Sequence, residues 1–260
     1  MDALDLSGKN AIILGVANRR SIAWGIAREL AARGARLALT YQSERFKSAL
    51  VELAEEAGLV DPLLLPLDVS SDHQIDACFE AVRSKMRRLD MLAHCIAFAQ
   101  REDLEGEFSA TSRDGFRTAL EISAYSLVAV ARRAAPLMAE RNGAMVALSY
   151  LAAERAVPNY NVMGTAKAAL EQCVRQLALE LGPQGTRVNC ISAGPLSTLS
   201  ARGISGFTHI LRHHAQKAPM KRNVTLEEIS NAGLFLLTDL SSGVTGETLY
   251  VDCGYNIVGL

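Results

Sequence analysis

Tyr150, Tyr160 and Lys167 are spaced so that they can gather at the ligand edge of a sheet, with a phenol hydroxyl beside an ammonium. Tyr150 closes an apolar run at 145–150, and Tyr160 and Lys167 open a helical pattern at 160–181. The seven-residue step from Tyr160 to Lys167 is about 20° short of two full helical turns, so both side chains fall on one face. A phenol hydroxyl there can donate to an oxygen that gains negative charge during a reaction. A neighbouring ammonium would lower the phenol's pKa and could also hold the hydroxyls of a ribose. The plainer account, two packing tyrosines and a surface lysine, loses ground if the set lies opposite a phosphate-binding loop.

Such a loop follows the first apolar run, 11–14. It reads Gly15-Val-Ala-Asn-Arg-Arg-Ser21-Ile22-Ala-Trp-Gly25. It is not GxGxxG, because Ala17 and Arg20 occupy the second and third glycine positions. Gly15 still permits a tight turn, Ser21 can bond a phosphate, and the following helix offers free N–H groups to an anion. Gly8-Lys9 precedes a strand rather than a helix, which excludes a P-loop. Gln42 ends the second run, where a carboxylate often binds the adenosine ribose; it can bond a hydroxyl without charge. Asp68-Val69 ends the third, placing a carboxylate either against an adenine amino group or on the next helix as its cap. The small residues of Ile96-Ala97-Phe98-Ala99 let a flat ligand approach the backbone.

These positions need a frame. Apolar runs at 11–14, 35–41, 63–68, 91–96, 145–150, 188–192 and 248–251 alternate little, as strands buried on both faces do. Helical patterns at 21–33, 44–57, 71–87, 113–140, 160–181 and 225–237 lie between them. Gly34, Gly58 and Gly182 stand where left-handed C-caps are wanted, and Asp72 and Thr225 where N-caps are. The alternation predicts an α/β fold: a Rossmann-like doubly wound parallel sheet of about seven strands with helices on both faces. No linker or repeat divides residues 1–260, so one dinucleotide-binding and catalytic domain is expected. The stretch 198–221 breaks the alternation and reads as a mobile substrate-binding lid with one or two short helices.

Composition narrows the class. The chain has 260 residues, 49% of them hydrophobic, and a net charge of −1, which excludes a protein that coats nucleic acid. No run approaches a membrane span, and the start does not read as a secretory signal. Cys78, Cys95, Cys173, Cys190 and Cys253 are scattered without a CxxC pair, so no disulfide framework and no metal site are expected, and a cytoplasmic setting is.

The Tyr-x6-Lys spacing, the string Ser149-Tyr-Leu-Ala-Ala-Glu-Arg-Ala-Val-Pro-Asn-Tyr-Asn-Val-Met-Gly164 and Ile191-Ser-Ala-Gly-Pro195 together resemble the bacterial enoyl-acyl-carrier-protein reductases. These are a divergent branch of the short-chain dehydrogenase/reductase superfamily. The resemblance runs over essentially the whole chain, through Gly15 to Gly25, Glu121-Ile-Ser-Ala-Tyr-Ser126 and Gly246-Glu to Gly254. Ordinary superfamily members place the tyrosine four before the lysine, where this chain has Met163. The resemblance implies NADH as cofactor, in preference to NADPH, with Gly15, Ser21 and Ile22 along the pyrophosphate and nicotinamide. It implies Gln42 at the adenosine ribose, Asp68 and Val69 at the adenine, Ile96 along the cofactor and Lys167 on the nicotinamide ribose. Leu196, Ser197, Thr198, Leu199 and Ser200 would contact the carboxamide and phosphates. Several relatives carry a basic residue where Ser197 stands, which predicts a weaker hold on phosphate. Ala99 would touch the acyl substrate, Tyr160 would bond its thioester carbonyl, and Tyr150 would be the second active-site tyrosine.

The implied reaction reduces a trans-2-enoyl thioester to a saturated acyl thioester in fatty-acid elongation. The implied partners are acyl carrier protein bearing the enoyl chain and three further copies of the chain in a homotetramer, with no nucleic acid and no membrane. Two rivals remain. A carbonyl or alcohol reductase of the same superfamily conflicts with Met163. A non-catalytic nicotinamide-binding sensor conflicts with the presence of Tyr150, Tyr160 and Lys167. Between 201 and 222 the chain carries Arg202, Arg212, Lys217, Lys221 and Arg222 and no carboxylate, a charge suited to an acidic carrier protein.

Overall fold

Seven short apolar strands pair in parallel in the order β3-β2-β1-β4-β5-β6-β7. They are β1 (Asn10–Leu14), β2 (Arg36–Tyr41), β3 (Leu63–Pro66), β4 (Met91–His94), β5 (Ala144–Ser149), β6 (Arg187–Ala193) and β7 (Thr248–Val251). The computed structural model describes residues 4–140, 142–198 and 206–259. β1 and β5 are buried along their whole length, which explains why both read as unbroken apolar runs. The chain winds outward through β2 and β3, then returns to set β4 beside β1, with Leu14 opposite His94. That reversal opens a crevice at the carboxyl ends of β1 and β4, where doubly wound sheets bind ligands.

Helices cover both faces. α1 (Ile22–Ala31) and α8 (Leu226–Leu237) pack on one side through Ile26, Leu30, Ile229 and Leu234. Gly25 allows their close approach, because a Cβ there would collide with the Ser230 hydroxyl. α3 (Asp72–Met86), α5 (Ser126–Met138) and α6 (Asn161–Leu181) cover the other side through Phe79, Val82, Leu127, Val130, Leu170 and Val174. α2 (Glu44–Glu56) adds Leu50 and Leu53 beside β2.

The structure corrects four local expectations. The N-cap of α3 is Ser71, whose hydroxyl accepts from Gln74 N at 3.3 Å; Asp72 is the first helical residue. Gly34 and Gly58 are left-handed, but Gly182 has φ −54; Pro183 carries the chain through one more 3-10 turn and Gly185 takes the left-handed place at φ 78. The pattern 113–140 is not one α-helix. α4 (Arg113–Leu120) passes through a π turn, Glu121–Tyr125, into α5. There Ser126 Oγ donates to the Ile122 carbonyl at 2.6 Å and meets His94 Nε2 at 2.8 Å, and Ser123 Oγ bonds both backbone groups of Phe98. Side chains that serve distant partners in this way loosen the helical ladder locally. In the expected lid, 206–221 holds one full helix of eleven residues, α7 (Phe207–Lys217), rather than short pieces.

Thr225 meets its expectation in full: it and Glu228 form a reciprocal capping box on α8.

Candidate active site

A cavity of about 640 Å³ occupies the crevice at the carboxyl ends of the strands. Gly15, Ser21 and Ile22 from the first turn, Gln42, Asp68 and Val69 from the next two strand ends, and Ile96 and Ala99 after β4 all line it. So do Tyr150, Tyr160, Lys167, Leu196 and Thr198. Ser197 is exposed and lies outside this lining, while Leu199 and Ser200 lie outside the described residues. Phe207 and Ile210 of α7, within the stretch expected to form a substrate-binding lid, also line the cavity. A larger open depression of about 980 Å³ sits at the amino end of β2 among Arg19, Glu29 and Glu56. It is remote from the tyrosine–lysine set and on the wrong edge of the sheet for the ligand of a parallel fold.

The first turn suits a pyrophosphate. Gly15 has φ +93, and a Cβ there would come within 2.8 Å of the Cys95 carbonyl carbon, so backbone meets backbone at the mouth of the crevice. Ser21 caps α1, accepting from Trp24 N and donating to Asn18 O, which leaves the other first-turn N–H groups for an anion. At the ends of the next two strands, Gln42 Nε2 donates to Asp68 Oδ2 at 3.4 Å. Asp68 does not cap α3. Its carboxylate turns back on Ser70, accepting from both N–H and hydroxyl. Burial opposes its charge, but those bonds and Gln42 outweigh it and hold the carboxyl below its usual range. These groups together fit a dinucleotide: a side-chain-free turn, a helix N-terminus, a hydroxyl-bonding amide and a carboxylate, with Lys167 at the far end.

Tyr160 is the residue before α6, fixed between two asparagines with positive φ, Asn159 at 61° and Asn161 at 31°. Asparagine tolerates this conformation better than other side chains with a Cβ. Asn161 Nδ2 also reaches the Gly106 carbonyl at 3.2 Å, tying the helix start to the loop beyond Ala99. Lys167, two turns on, is 5% exposed and donates to the Leu148 carbonyl at 2.6 Å. Burial holds its pKa down, partly offset by Cys190, Cys95 and Glu171. The expected effect of Lys167 on the phenol is not found. Burial, with Tyr150 close by, pushes Tyr160 above the usual tyrosine range, and Tyr150 itself is pushed up to about 12 by burial and Tyr255. Both phenols are therefore protonated donors at neutral pH. Met163, at the tyrosine position of ordinary superfamily members, is buried against the cavity and offers no hydroxyl.

Two further groups near Lys167 carried no signal in the sequence. His94 lies under the site, and burial and the Lys167 charge hold it down to about 3, so it is neutral. Glu171 is buried in mid-α6 and accepts from Ser149 Oγ at 2.5 Å.

A parallel sheet with a glycine-turned first loop and a tyrosine–lysine pair at its switch point defines a dinucleotide-dependent oxidoreductase of the doubly wound class. The chain belongs to the enoyl-(acyl carrier protein) reductase family, whose model matches residues 15–256. It is 52% identical over 260 residues to the NADH enoyl-[acyl-carrier-protein] reductase of Nostoc sp., spanning 99% of this chain and 100% of that protein. It is 49% identical to the NADPH enzyme of Staphylococcus aureus strain MRSA252, spanning 98% and 99% of the two chains. The crystal structure of the Bacillus cereus enoyl-acyl carrier protein reductase with NADP+ and an indole naphthyridinone superposes with a TM-score of 0.95 at 51% identity, covering 98% of this chain and 99% of that one. That of the Anaplasma phagocytophilum reductase in complex with NAD gives 0.93 at 46% identity, covering 98% and 96%.

Proposed function

We propose that this protein is an NADH-dependent enoyl-[acyl-carrier-protein] reductase that saturates the 2,3 double bond of a trans-2-enoyl thioester during fatty-acid elongation. The observation that carries the reading is the cavity itself, which brings Tyr160 and Lys167 together with the Gly15 turn and leaves Met163 where a carbonyl reductase needs its tyrosine. When bound, the reduced nicotinamide supplies a hydride to the β-carbon of the substrate. Tyr160 is a neutral donor to the thioester oxygen, which gains charge as an enolate when the double bond is reduced, and a proton then reaches the α-carbon to complete the saturated thioester. Lys167 bonds the ribose and fixes the cofactor beside Tyr160. Gln42 and Asp68 hold the adenosine end, and Ala99 with Phe207 and Ile210 flanks the acyl chain.

Of the expected lid, the described part, 206–221, lies over the acyl chain, and acyl carrier protein docks on its basic side. Arg212 and Lys217 are exposed on α7, and Lys221 follows it; Arg222 is committed to Glu228 by two bonds of 2.9 and 2.6 Å. The functional assembly is a homotetramer in the cytoplasm. Tyr125 and Leu179, exposed on the π turn and α6, supply apolar surface for it. Among the described residues no helix is long and apolar enough to cross a membrane.

The test follows NADH absorbance with a crotonyl thioester and then with a panel of ketones. Oxidation with the thioester alone is expected. Turnover of ketones would establish the carbonyl reductase, and binding of NADH with no turnover of either would establish a sensor.

A further inference from the structure

Lys167 presents an unsolved charge problem. It is 5% exposed in the lining of the cavity, and among the described residues no ion pair joins it to a carboxylate. A buried ammonium in that state tends to lose its proton. Two of its neighbours, Cys95 after β4 and Cys190 on β6, could balance it only as thiolates. Burial pushes both thiols up to about 12, so at neutral pH they carry no charge. His94 on β4 also faces Lys167, but it is held neutral and cannot balance a cation. The neighbour that can carry a negative charge is Glu171, one turn further along the same face of α6.

Glu171 is no ordinary surface glutamate. It is 5% exposed, and Ser149 Oγ donates to it at 2.5 Å. Leu148 and Ser149 are consecutive residues at the end of β5, and they hold Lys167 and Glu171 respectively. One strand end thus grips both members of an i, i+4 pair. Burial, with Glu154, outweighs Ser149, Arg175 and Lys167 and holds the Glu171 carboxyl above its usual range, so the bond from Ser149 matters to its ionisation.

We propose that Glu171, clamped by Ser149, is a positioning residue for the reaction: its carboxylate keeps Lys167 charged at the strand end, and so sets the pH range over which the nicotinamide ribose is held. The inference rests on the assignment of Lys167 to the cofactor, and its test separates the two. NADH affinity is titrated by fluorescence from neutral to alkaline pH. In the wild type it declines as Lys167 loses its proton. In Glu171→Gln that decline moves to lower pH by about one unit, the scale on which a close opposite charge acts. In Ser149→Ala the carboxyl loses its donor and ionises less readily, so affinity falls several-fold near neutrality and recovers at mildly alkaline pH. A purely structural role for the pair would lower affinity equally at every pH.

A Glu171→Gln curve parallel to the wild type overturns the proposal. If that variant does not fold, a pH-independent loss in Ser149→Ala does the same. Lys167→Met is the control for the underlying assignment: unchanged NADH affinity there would refute the ribose role alone. The Glu171 link would then be read in the cofactor-free protein, as the pH midpoint for acylation of Lys167 by a small amine-reactive reagent, which should fall in Glu171→Gln. An unchanged midpoint overturns it.

Discussion

The Tyr150 and Tyr160 rings meet at 4.9 Å between centroids, tilted by 52°, and both line the cavity. Each ring is packed against the other, and the loss of water around both makes the phenolate form costly. Tyr160 therefore keeps its proton at neutral pH and is able to donate a hydrogen bond.

Tyr160→Phe should slow reduction of the enoyl thioester while NADH binding survives. The ring contact with Tyr150 is retained and only the donor is lost. A missing oxyanion donor costs about 2.7–4 kcal/mol, or roughly 10²–10³ in kcat. Single-turnover rates and an NADH titration check it, and wild-type turnover would remove Tyr160 from this role.

Gly15→Ala should damage the cofactor site and the fold together. The residue has φ +93, and the new methyl group would run into the Cys95 backbone, which no side-chain rotation relieves. A lowered Tm and NADH affinity weakened by at least about tenfold are expected, since the same turn lines the crevice. A variant with wild-type melting and binding would show that the turn has room to spare.

Most of the frame was legible because parallel strands are buried on both faces and leave long apolar runs, as 11–14 and 145–150 do. The lining of the cavity was legible where chemistry and spacing coincide: Gly15, Gln42, Asp68, Tyr160 and Lys167 all come to it. What escaped depends on contacts between distant residues. The 113–140 pattern keeps its apolar period through the π turn, and only the bonds from Ser123 to Phe98 and from Ser126 to His94 reveal why the helix loosens there. Glu171 reads in sequence as a polar residue on a helix; its burial appears only when β5 is laid against α6. Whether Ser71 or Asp72 caps α3 turns on one residue of register, which composition does not resolve.

Arg187 was equally silent in the sequence. It begins β6, is buried, and its guanidinium donates to the carbonyls of Leu236, Thr238 and Val244 and to Ser241 Oγ. Leu236 and Thr238 stand at the C-terminal end of α8, where carbonyls lack helical partners and a cation is favoured. Arg187→Ala takes the guanidinium from the Leu236 carbonyl, while Thr238 O keeps its bonds from Ser241 and Val244 O keeps that from Asn189 Nδ2; the loss is about 1–3 kcal/mol. Urea unfolding should show a lower midpoint; an unchanged midpoint would mean that water replaces the guanidinium fully.

NADH should be preferred over NADPH. A 2′-phosphate needs a free cation near the end of β2. Lys47 is paired with Glu44 at 3.4 Å, and the Arg45 guanidinium lies over the Phe46 ring at 4.5 Å. Glu44 also accepts from Tyr41 Oη at 2.9 Å, which keeps a carboxylate beside this strand end. The NADPH label of the Staphylococcus aureus relative makes the measurement decisive for this chain. The ratio of kcat/KM for the two cofactors should favour NADH by at least about tenfold, the effect of roughly 1.4 kcal/mol; a ratio favouring NADPH would show that Arg45 or Lys47 releases its partner for the phosphate.

The carrier-protein partner should be recognised by charge on α7. Arg212 and Lys217 are exposed there, while Arg222, also basic in the sequence, is neutralised by Glu228 and should contribute little. Arg202 lies outside the described residues. Complementary charge acts mainly on the association rate and is screened by salt. With an acyl-carrier-protein substrate, kcat/KM should fall from low to high salt and fall several-fold in Arg212→Glu or Lys217→Glu. Arg222→Glu serves as the contrast: its main effect should be on stability, through the broken bonds to Glu228. A small N-acetylcysteamine thioester, which has no acidic carrier, should respond much less to salt and to the α7 reversals. The same salt dependence for both substrates would mean that α7 is a solvated face and that docking takes place elsewhere.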